Sequence, residues 1–414
     1  MSEIVISKKA NYQHLVIMLL LGFSSGLPIA LVGSTLQAWY TVSGISIVAI
    51  GFLGLVGQPY AFKFFWAPIM DRYIPPFLGR RRGWMLITQI TLLISILFMS
   101  WFSPAVNPIK LAMLAVLVAF LSASQDISLD AYRTDILPAE QRGLGAALWI
   151  NGYRIAMIVS GALALVLAQH LGWHITYMIM AALMLVGVLT TFLSPEPKHD
   201  DQAPQSMGRA IWQPIQEFMH RPYASALLLF IIIYKLGDAF ALSLSSVFYI
   251  RYLGFSLQDV GLISKTMGIT ATLVGALLGG AIMLRWKLYR SLMIFGWLQA
   301  FGTVIFIVLV LAGKNYTIFA VSVFLENLTS GMATTAFMAF LMALCDQRFT
   351  ATQYALFSAV MTVGRIFVGP IAGIFIEQIG WTQFFIVSFV IGILGLVLLR
   401  WLNQRVDFNA TKIM

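Results

Sequence analysis

The chain has 414 residues, of which 60% are hydrophobic and 10% are charged, and its formal net charge is +10. Soluble globular proteins average about 25% charged residues, so this composition excludes an ordinary soluble domain and predicts an all-α polytopic membrane protein. Positive net charge would also suit a nucleic-acid-binding protein, but most Lys and Arg residues lie in intervals between apolar runs, which indicates a membrane topology instead.

The chain contains twelve apolar runs long enough for membrane helices, each of which needs about 20 residues. Allowing a few residues of error at each end, these runs are 14–40, 47–70, 84–103, 109–137, 143–169, 173–193, 223–251, 256–284, 289–313, 316–345, 351–378 and 380–402. With the N-terminus in the cytoplasm, eighteen Lys and Arg residues fall on the cytoplasmic side and three on the opposite side. This asymmetry predicts that both termini are cytoplasmic.

The loop after the second run has a distinctive charge pattern, an Asp71-Arg72 pair followed by a basic cluster that includes Arg80 and Arg81. This pattern resembles the loop signature of the major facilitator superfamily, in which the Asp-Arg pair latches helix ends on the cytoplasmic side. The match has two departures, since Ala67 replaces the usual glycine and the basic cluster lies farther from the pair. The resemblance implies a gating role for these charges; the alternative is a basic cluster that only sets topology.

The fourth run ends in charged residues inside a predicted span. An ionised side chain at the centre of a bilayer costs roughly 2.5–3.5 kcal/mol, so Asp126, Asp130 and Arg133 need partners, water or a function. On a helix these three share one face, whereas Asp135 points the other way. If the helix ends near Pro138, Asp126 lies roughly 18 Å from the exit, close to the midplane. Asp130 and Arg133 are predicted to form a local structural pair.

Asp126 is the first candidate for a proton carrier. It has no basic neighbour one turn deeper in the helix, and a carboxyl group removed from water favours its protonated form. The alternative is an ion pair with a base on another helix. Glu326 in the tenth run and Asp238 in the seventh are rival carriers. Lys235 precedes Asp238 by three residues, so mutual neutralisation is the simpler interpretation there, whereas Glu326 lacks a local partner.

The longest polar interval, residues 194–222, separates the first six runs from the last six. Its first part has the composition of a flexible linker, and its second part predicts a short amphipathic helix on the cytoplasmic surface. The apolar face of that helix consists of Ile211, Trp212, Ile215, Phe218 and Met219. We therefore expect an N-terminal six-helix bundle at 1–193, a linker at 194–222, and a C-terminal bundle with a short tail at 223–414.

The two halves share faint repeats at related positions. Residues 151–155 (NGYRI) in the fifth run resemble residues 362–366 (TVGRI) in the eleventh, and Gly172-Trp173 corresponds to Gly380-Trp381. Two parallel six-helix halves joined by a central loop are the layout of the major facilitator fold, in which substrate is held near the midplane. The sequence therefore predicts this fold, with twelve transmembrane helices and alternating access.

Several further segments point to one branch of that superfamily. They are 24–28 (SSGLP), 35–39 (TLQAW), 62–73 (FKFFWAPIMDRY), 123–127 (ASQDI), 130–131 (DA), 134–135 (TD), 137–140 (LPAE), 234–240 (YKLGDAF) and 324–327 (FLEN). Together they resemble the AmpG muropeptide permeases over residues 22–400. The resemblance implies import of anhydromuropeptides, GlcNAc–1,6-anhydro-MurNAc with or without a short peptide, from the periplasm of Gram-negative bacteria. It also implies coupling to the proton gradient, a role in peptidoglycan recycling, and a link to β-lactamase induction.

Five basic residues lie within the predicted spans and are candidates for contact with an anionic cargo. They are Lys63, Arg154, Lys235, Lys265 and Arg365. Muropeptides carry carboxylates on their peptide stems; Arg can hold a carboxylate with two hydrogen bonds, and Lys acts as a point charge. The alternative is that each base pairs with an acid and braces the helices, which applies most to the repeat-related Arg154 and Arg365.

Four uncharged side chains complete the predicted site. Tyr153 and Tyr234 each lie beside an intramembrane base and are candidates for stacking on sugar rings. Gln37 and Gln125 are expected to face inward and to hydrogen-bond acetamido or hydroxyl groups. Hydrogen bonding between helices is the alternative for both glutamines.

Two other functions remain as alternatives at this stage. One is a major facilitator that carries a siderophore or another amphipathic anion. The other is an integral-membrane enzyme, which the sequence does not favour because its histidines are scattered and it has no Walker loop. We expect a monomeric transporter in the bacterial inner membrane, with no cofactor, no bound metal and no nucleic-acid partner.

Overall fold

The computed structural model describes residues 2–137, 142–197, 215–346, 350–406 and 408, which are almost entirely helical. In this part of the chain, nine helices are long and apolar enough to cross a membrane. They are Gln13–Val42, Arg80–Ser100, Pro108–Ile136, Gly145–Leu193, Ala224–Tyr252, Leu257–Met283, Leu288–Ala312, Tyr316–Leu344 and Val368–Asn403. The predicted all-α membrane class is confirmed, whereas the count of twelve spans stays a prediction.

Two of these segments contain a glycine that interrupts the helix. Gly145–Leu193 has 49 residues, more than twice the length that a bilayer core about 30 Å thick requires. Gly172 interrupts it with a φ of 80°, and Gly380 interrupts Val368–Asn403 with a φ of 76°. Glycine adopts this left-handed conformation without a steric penalty. Both interruptions lie where the sequence places the boundaries between the fifth and sixth and between the eleventh and twelfth runs.

The second predicted run, 47–70, is not one continuous helix. It consists of Ile47–Phe52, a 3₁₀ segment Leu53–Gly57, Gln58–Phe62, a second 3₁₀ segment Lys63–Phe65, and Ala67–Arg72. Pro59 and Pro68 lie at the first turns of Gln58–Phe62 and Ala67–Arg72, where the missing N–H of proline cannot extend a preceding helix. Irregular backbone at membrane depth is tolerated where it is buried in protein or lines a cavity.

The remaining elements are α-helical, with three short π segments. The α-helices are Ser2–Val32, Ser34–Val42, Arg80–Ser100, Pro108–Ile136, Arg142–Ile158, Ala164–Leu183, Leu185–Leu193, Ala224–Tyr234, Leu236–Leu242, Ser245–Val247, Leu257–Asp259, Gly268–Met283, Leu288–Ala312, Tyr316–Leu344, Thr350–Ile366 and Val368–Asn403. The π segments are Val159–Leu163, Phe248–Tyr252 and Val260–Met267. Such π segments inside helices frequently mark functional sites.

The first of two compact units contains Met1–Ile45, Val56–Ala203 and Ser256–Gly261. Its core includes the fully buried Met18, Leu21, Met85, Leu129 and Tyr132. Helices Ser2–Val32 and Arg142–Ile158 approach each other closely at glycines, because a Cβ on Gly26 or Gly152 would overlap the backbone of the facing helix. This close contact brings polar residues of both helices toward the fourth predicted span.

The second unit contains Ser46–Leu55, Pro204–Phe255 and Leu262–Met414. Its core is rich in aromatic rings, among them Phe230, Phe337 and Phe340. Residues 215–219 are helical, but Phe218 is buried and its ring lies 4.8 Å from that of Phe357. The apolar face of this segment therefore packs at least partly on protein, whereas the sequence predicted contact with the membrane surface; Ile211 and Trp212 lie outside the described residues.

Candidate functional site

A polar cluster surrounds Asp126 in the first unit. The Ser25 hydroxyl donates a hydrogen bond to Asp126 Oδ1 at 2.7 Å. Tyr153 lies within electrostatic reach of both Asp126 and Arg154, and the close approach at Gly26 brings the backbone of Tyr153 against helix Ser2–Val32. Asp126 itself is partly buried. This carboxyl group therefore has one firm hydrogen bond and a mixed polar environment at membrane depth.

Lys63 joins the predicted pair of Asp130 and Arg133. Asp130 Oδ1 lies 3.2 Å from Arg133 Nη2, and Asp130 Oδ2 lies 3.8 Å from Lys63 Nζ. The exposed fraction of the side chain is 49% for Asp130, 30% for Arg133 and 36% for Lys63. Ion pairs with this much exposure contribute little stability, so they leave the two cations available for other anions. Lys63 lies in the 3₁₀ segment Lys63–Phe65, so the break in the second span places it here.

The other predicted contacts of the first unit are mainly made to neighbouring helices. Gln125 is fully buried, and its Nε2 donates to Ser24 Oγ at 2.9 Å, which fits the interpretation of a hydrogen bond between helices. Gln37 is partly buried in helix Ser34–Val42. Arg154 contacts the sulfur of Met157 at 3.9 Å, while its buried Nε makes no hydrogen bond within the described residues.

One end of the first unit, where helix Arg80–Ser100 begins, is held together by a charge network that sequence reasoning only partly found. Arg81 Nε lies 2.9 Å from Asp135 Oδ2. The Glu196 carboxylate accepts hydrogen bonds from the backbone N–H groups of Arg81 and Arg82, at 2.9 and 3.1 Å. A carboxylate at this position caps the first turn of helix Arg80–Ser100 and complements its dipole. Glu196 was missed; its position directly after the sixth run was the available signal.

The structure describes the side chains of only some of the predicted latch residues. Arg80 and Arg81 open helix Arg80–Ser100, whereas the side chains of Asp71 and Arg72 lie outside the described part of the chain. Arg82 donates to the backbone oxygens of Thr191 and Phe192, which ties the end of the sixth run to the start of the third. The gating role of Asp71 stays a prediction.

The second unit contains a buried ion pair. Lys235 Nζ lies 3.2 Å from Asp238 Oδ2, and both side chains are only 5% exposed. Ser330 links the two charges, since it accepts from Lys235 at 3.4 Å and donates to Asp238 at 3.3 Å. Lys235 lies between helices Ala224–Tyr234 and Leu236–Leu242, so this pair also occupies a helix break. The mutual neutralisation expected from sequence is present.

Glu326 lies beside this pair and is fully buried. Neither of its oxygens receives a hydrogen bond from a donor in the described residues. Its carboxyl group is within hydrogen-bonding reach of that of Asp238, whose Oδ1 also lacks a donor. A proton on one of the two carboxyl groups would complete the bond between them. Gly302 makes room for this arrangement, because a Cβ there would lie 2.7 Å from Glu326 Oε2.

Three other residues predicted to contact the cargo, Tyr234, Lys265 and Arg365, lie in the second unit and differ in their surroundings. Tyr234 is buried, its hydroxyl donates to the Leu292 carbonyl at 2.8 Å, and its ring stacks on Phe337. This packing leaves no ring face for a sugar, against the sequence expectation. Lys265 is partly exposed in the π segment Val260–Met267 and pairs with no carboxylate among the described residues. Arg365 is exposed, and its charge acts on the Lys235–Asp238 pair.

Each unit by itself offers carboxyl and cationic groups. Asp126 and Glu326 are carboxyl groups that can hold a proton, whereas Lys63, Lys265 and Arg154 are cations with incomplete partnerships. Among the described residues no group of three or more His, Cys, Asp or Glu side chains is arranged to bind a metal ion. Such a set of groups suits the binding and release of protons and anions.

Comparison with known proteins places the chain in a family. The Major Facilitator Superfamily matches residues 15–369 and 237–412. The chain is 50% identical over 394 residues to the anhydromuropeptide permease of Escherichia coli K12, covering 95% of this chain and 80% of that protein. It is 31% identical to the putative transporter AmpG 4 of Rickettsia conorii, covering 94% and 96%. The chain belongs to the AmpG permease family.

Solved structures agree on the fold of this AmpG-family chain. The crystal structure of a D-xylose-proton symporter superposes with a TM-score of 0.74 at 12% identity, covering 97% of this chain and 99% of that one. The nucleoside transporter NupG gives a TM-score of 0.73 at 16% identity, covering 95% and 98%. The predicted major facilitator fold is therefore confirmed, and the chain is a multi-pass membrane transport protein.

Proposed function

We propose that this protein imports anhydromuropeptides from the periplasm to the cytoplasm by proton symport with alternating access. The observation that carries the proposal is 50% identity over 95% of the chain to a protein named anhydromuropeptide permease. Import of this cargo would supply peptidoglycan recycling and the signal for β-lactamase induction. The protein acts as a monomer in the inner membrane, with both termini in the cytoplasm, as the distribution of basic residues supports.

The intramembrane cations support an anionic cargo. Lys265 has no carboxylate partner among the described residues, whereas Lys63 has a long contact with the half-exposed Asp130 and also acts electrostatically on Asp126. A cation in a partly dry site binds a carboxylate strongly, because little competing water remains. We assign Lys265 and Lys63 to the carboxylates of the peptide stem, with Arg154 as a third contact. Lys235 is already neutralised by Asp238 and takes a structural role.

Asp126 is the proposed coupling carboxyl group. Ser25 donates a hydrogen bond to it, and Lys63 and Tyr153 interact with it electrostatically. Its partial exposure allows it to exchange a proton with water. Glu326 is the proposed second proton site, because a fully buried carboxyl group without donors is stable only when it is uncharged. The Asp126 site would load and release protons during the cycle, while Glu326 shares its proton with Asp238.

Transport by purified protein in liposomes tests this function. Uptake of labelled GlcNAc–1,6-anhydro-MurNAc-tripeptide should require an inward proton gradient and stop when a protonophore collapses it. A ferric siderophore offered in parallel serves as the competing cargo. Muropeptide uptake that ignores the gradient would contradict symport, and siderophore uptake without muropeptide uptake would contradict the assigned cargo.

A further inference from the structure

Two buried hydroxyl groups near Asp126 make no hydrogen bond within the described residues. They belong to Tyr60, on the short helix Gln58–Phe62, and to Ser122, on helix Pro108–Ile136. The two hydroxyls are close enough to interact with each other, but no hydrogen bond of good geometry joins them. A buried hydroxyl without a firm partner destabilises the folded state, because it has lost its hydrogen bonds to water. Two adjacent hydroxyls without a firm partner are donors that a nearby acceptor can use.

The nearest charged group to this pair is the Asp126 carboxyl. Ser122 precedes Asp126 by four residues on one helix, so both side chains lie on the same face. Tyr60 reaches the site from the broken second span and lies within electrostatic range of Asp126 and Tyr153. Asp126 Oδ1 already accepts from Ser25, so Oδ2 is the oxygen that remains for a further donor.

We propose that Tyr60 is a positioning residue for the proton of Asp126. When Asp126 is protonated, the Tyr60 hydroxyl stays without a partner, as in this structure. When the proton leaves to water, the carboxylate Oδ2 accepts a hydrogen bond from Tyr60, either directly or through the Ser122 hydroxyl. Tyr60 keeps its own proton throughout. This inference rests on the proton coupling assigned to Asp126 under the proposed function.

The other charges around Asp126 do not replace this donor. Lys63 acts on Asp126 from the second span, and Asp130 acts on it from the next turn of its own helix. Arg154 lies near Tyr153 on the facing helix and pairs with no carboxylate among the residues described. These fixed charges set the field at Asp126 in both the native protein and a hydroxyl-free variant. The Tyr60 hydroxyl is therefore the group whose removal isolates the effect.

The test is the pH dependence of cargo exchange at equal pH on both sides of the liposome. Exchange should fall at alkaline pH, where Asp126 loses its proton. Tyr60→Phe removes a donor that stabilises the carboxylate, so Asp126 should lose its proton only at higher pH. The midpoint of the alkaline fall should move up by about one pH unit, since one unit equals 1.36 kcal/mol and a hydrogen bond to a charged group is of that size.

A matched control is Tyr40→Phe, because the Tyr40 hydroxyl is engaged elsewhere, on the Pro108 carbonyl. Its midpoint should stay within about 0.2 pH units of the native value, well below the shift expected from one charged hydrogen bond. Ser122→Ala should move the midpoint in the same direction as Tyr60→Phe. The shift in the double variant Tyr60→Phe/Ser122→Ala should be smaller than the sum of the two single shifts. An unchanged midpoint in Tyr60→Phe, with native exchange at low pH, would overturn the proposal.

A second measurement separates this inference from the proposed function. The infrared band of a protonated carboxyl, taken as the difference between native protein and Asp126→Asn, reports the Asp126 proton without any cargo. That band should persist to higher pH in Tyr60→Phe. If the native protein fails to transport muropeptide but the band still shifts, the cargo assignment is wrong and the role of Tyr60 holds. If transport is native and the band does not shift, the role of Tyr60 is wrong.

Discussion

The Ser25 hydroxyl donates to Asp126 Oδ1 at 2.7 Å, which joins helix Ser2–Val32 to the carboxyl group at membrane depth in helix Pro108–Ile136. A hydroxyl can donate to a carboxylate and also to the carbonyl oxygen of a protonated carboxyl. Ser25 can therefore hold Asp126 in place in both protonation states. This property suits a group that must exchange a proton without losing its position.

Substitution of Asp126 by Asn should separate exchange from coupled uptake. Asparagine keeps the acceptor for Ser25 but carries no titratable proton. A pH gradient should therefore no longer drive accumulation of cargo above its external concentration. Exchange of cargo at equal pH should persist. Ser25→Ala is the companion variant, in which gradient-driven uptake should survive at a reduced rate. Native gradient-driven uptake by Asp126→Asn would remove this residue from coupling.

The buried pair of Lys235 and Asp238 should behave as one unit. Removal of one partner leaves the other charge buried and unpaired, which typically costs about 3–5 kcal/mol. Lys235→Met and Asp238→Asn should each lower the thermal unfolding temperature of the detergent-solubilised protein, whereas the double variant should recover most of the loss. The more exposed Asp130–Arg133 pair supplies the comparison, because Asp130→Asn should change stability little there. Equal losses in the single and double variants would mean that the pair does not neutralise itself.

Lys265 should affect cargo binding rather than folding. A charge-assisted hydrogen bond is worth about 1.5–3 kcal/mol, so Lys265→Gln should raise KM for an anionic muropeptide by roughly 10- to 100-fold. The same variant should show a native KM for a cargo whose carboxylates have been amidated. Lys110→Gln, at an exposed lysine near the start of helix Pro108–Ile136, serves as the charge-matched control. An equal rise in KM for charged and amidated cargo would point to a distorted site instead of a lost ionic contact.

Local sequence patterns predicted the contacts that depend on helical spacing. The pairs Asp130–Arg133 and Lys235–Asp238 are each three residues apart, and both are present in the structure. The glycine breaks at Gly172 and Gly380 also lie where the sequence places them. In these cases the geometry of one helix or one turn decides the contact, so residue spacing carries enough information.

Contacts between distant segments were not predictable in the same way. Glu196 caps a helix that begins 116 residues earlier at Arg80, and Gly302 makes room for Glu326 from another helix. The position of Lys63 and Tyr60 depends on the broken second span, which hydropathy alone presents as one continuous run. Tertiary packing decides these contacts, and the periodicity of a single segment does not predict them. The same limit explains why Tyr234, chosen for its basic neighbour, is a core residue.

The segment before helix Ala224–Tyr234 gives a prediction for pH-dependent stability. Partial burial opposes ionisation of Glu217, but hydrogen bonds from Arg221 and Gln353 and the charge of Arg221 hold the pKa of Glu217 below its usual value of 4.5. Arg221 binds both Glu217 oxygens, at 2.9 and 2.8 Å, and also donates to the Leu344 carbonyl. This network ties residues 215–219 to the ends of two helices of the second unit.

A group whose folded pKa is depressed contributes stability above its unfolded pKa and loses it as pH falls through the folded pKa. The native protein should therefore unfold at a higher temperature than Glu217→Gln at neutral pH, and the difference should be full above pH 4.5 and vanish as the medium becomes more acidic. Thermal unfolding of both proteins in detergent across this range measures the effect. A constant difference between native protein and Glu217→Gln at every pH would mean that packing, rather than the ionised carboxylate, stabilises this segment.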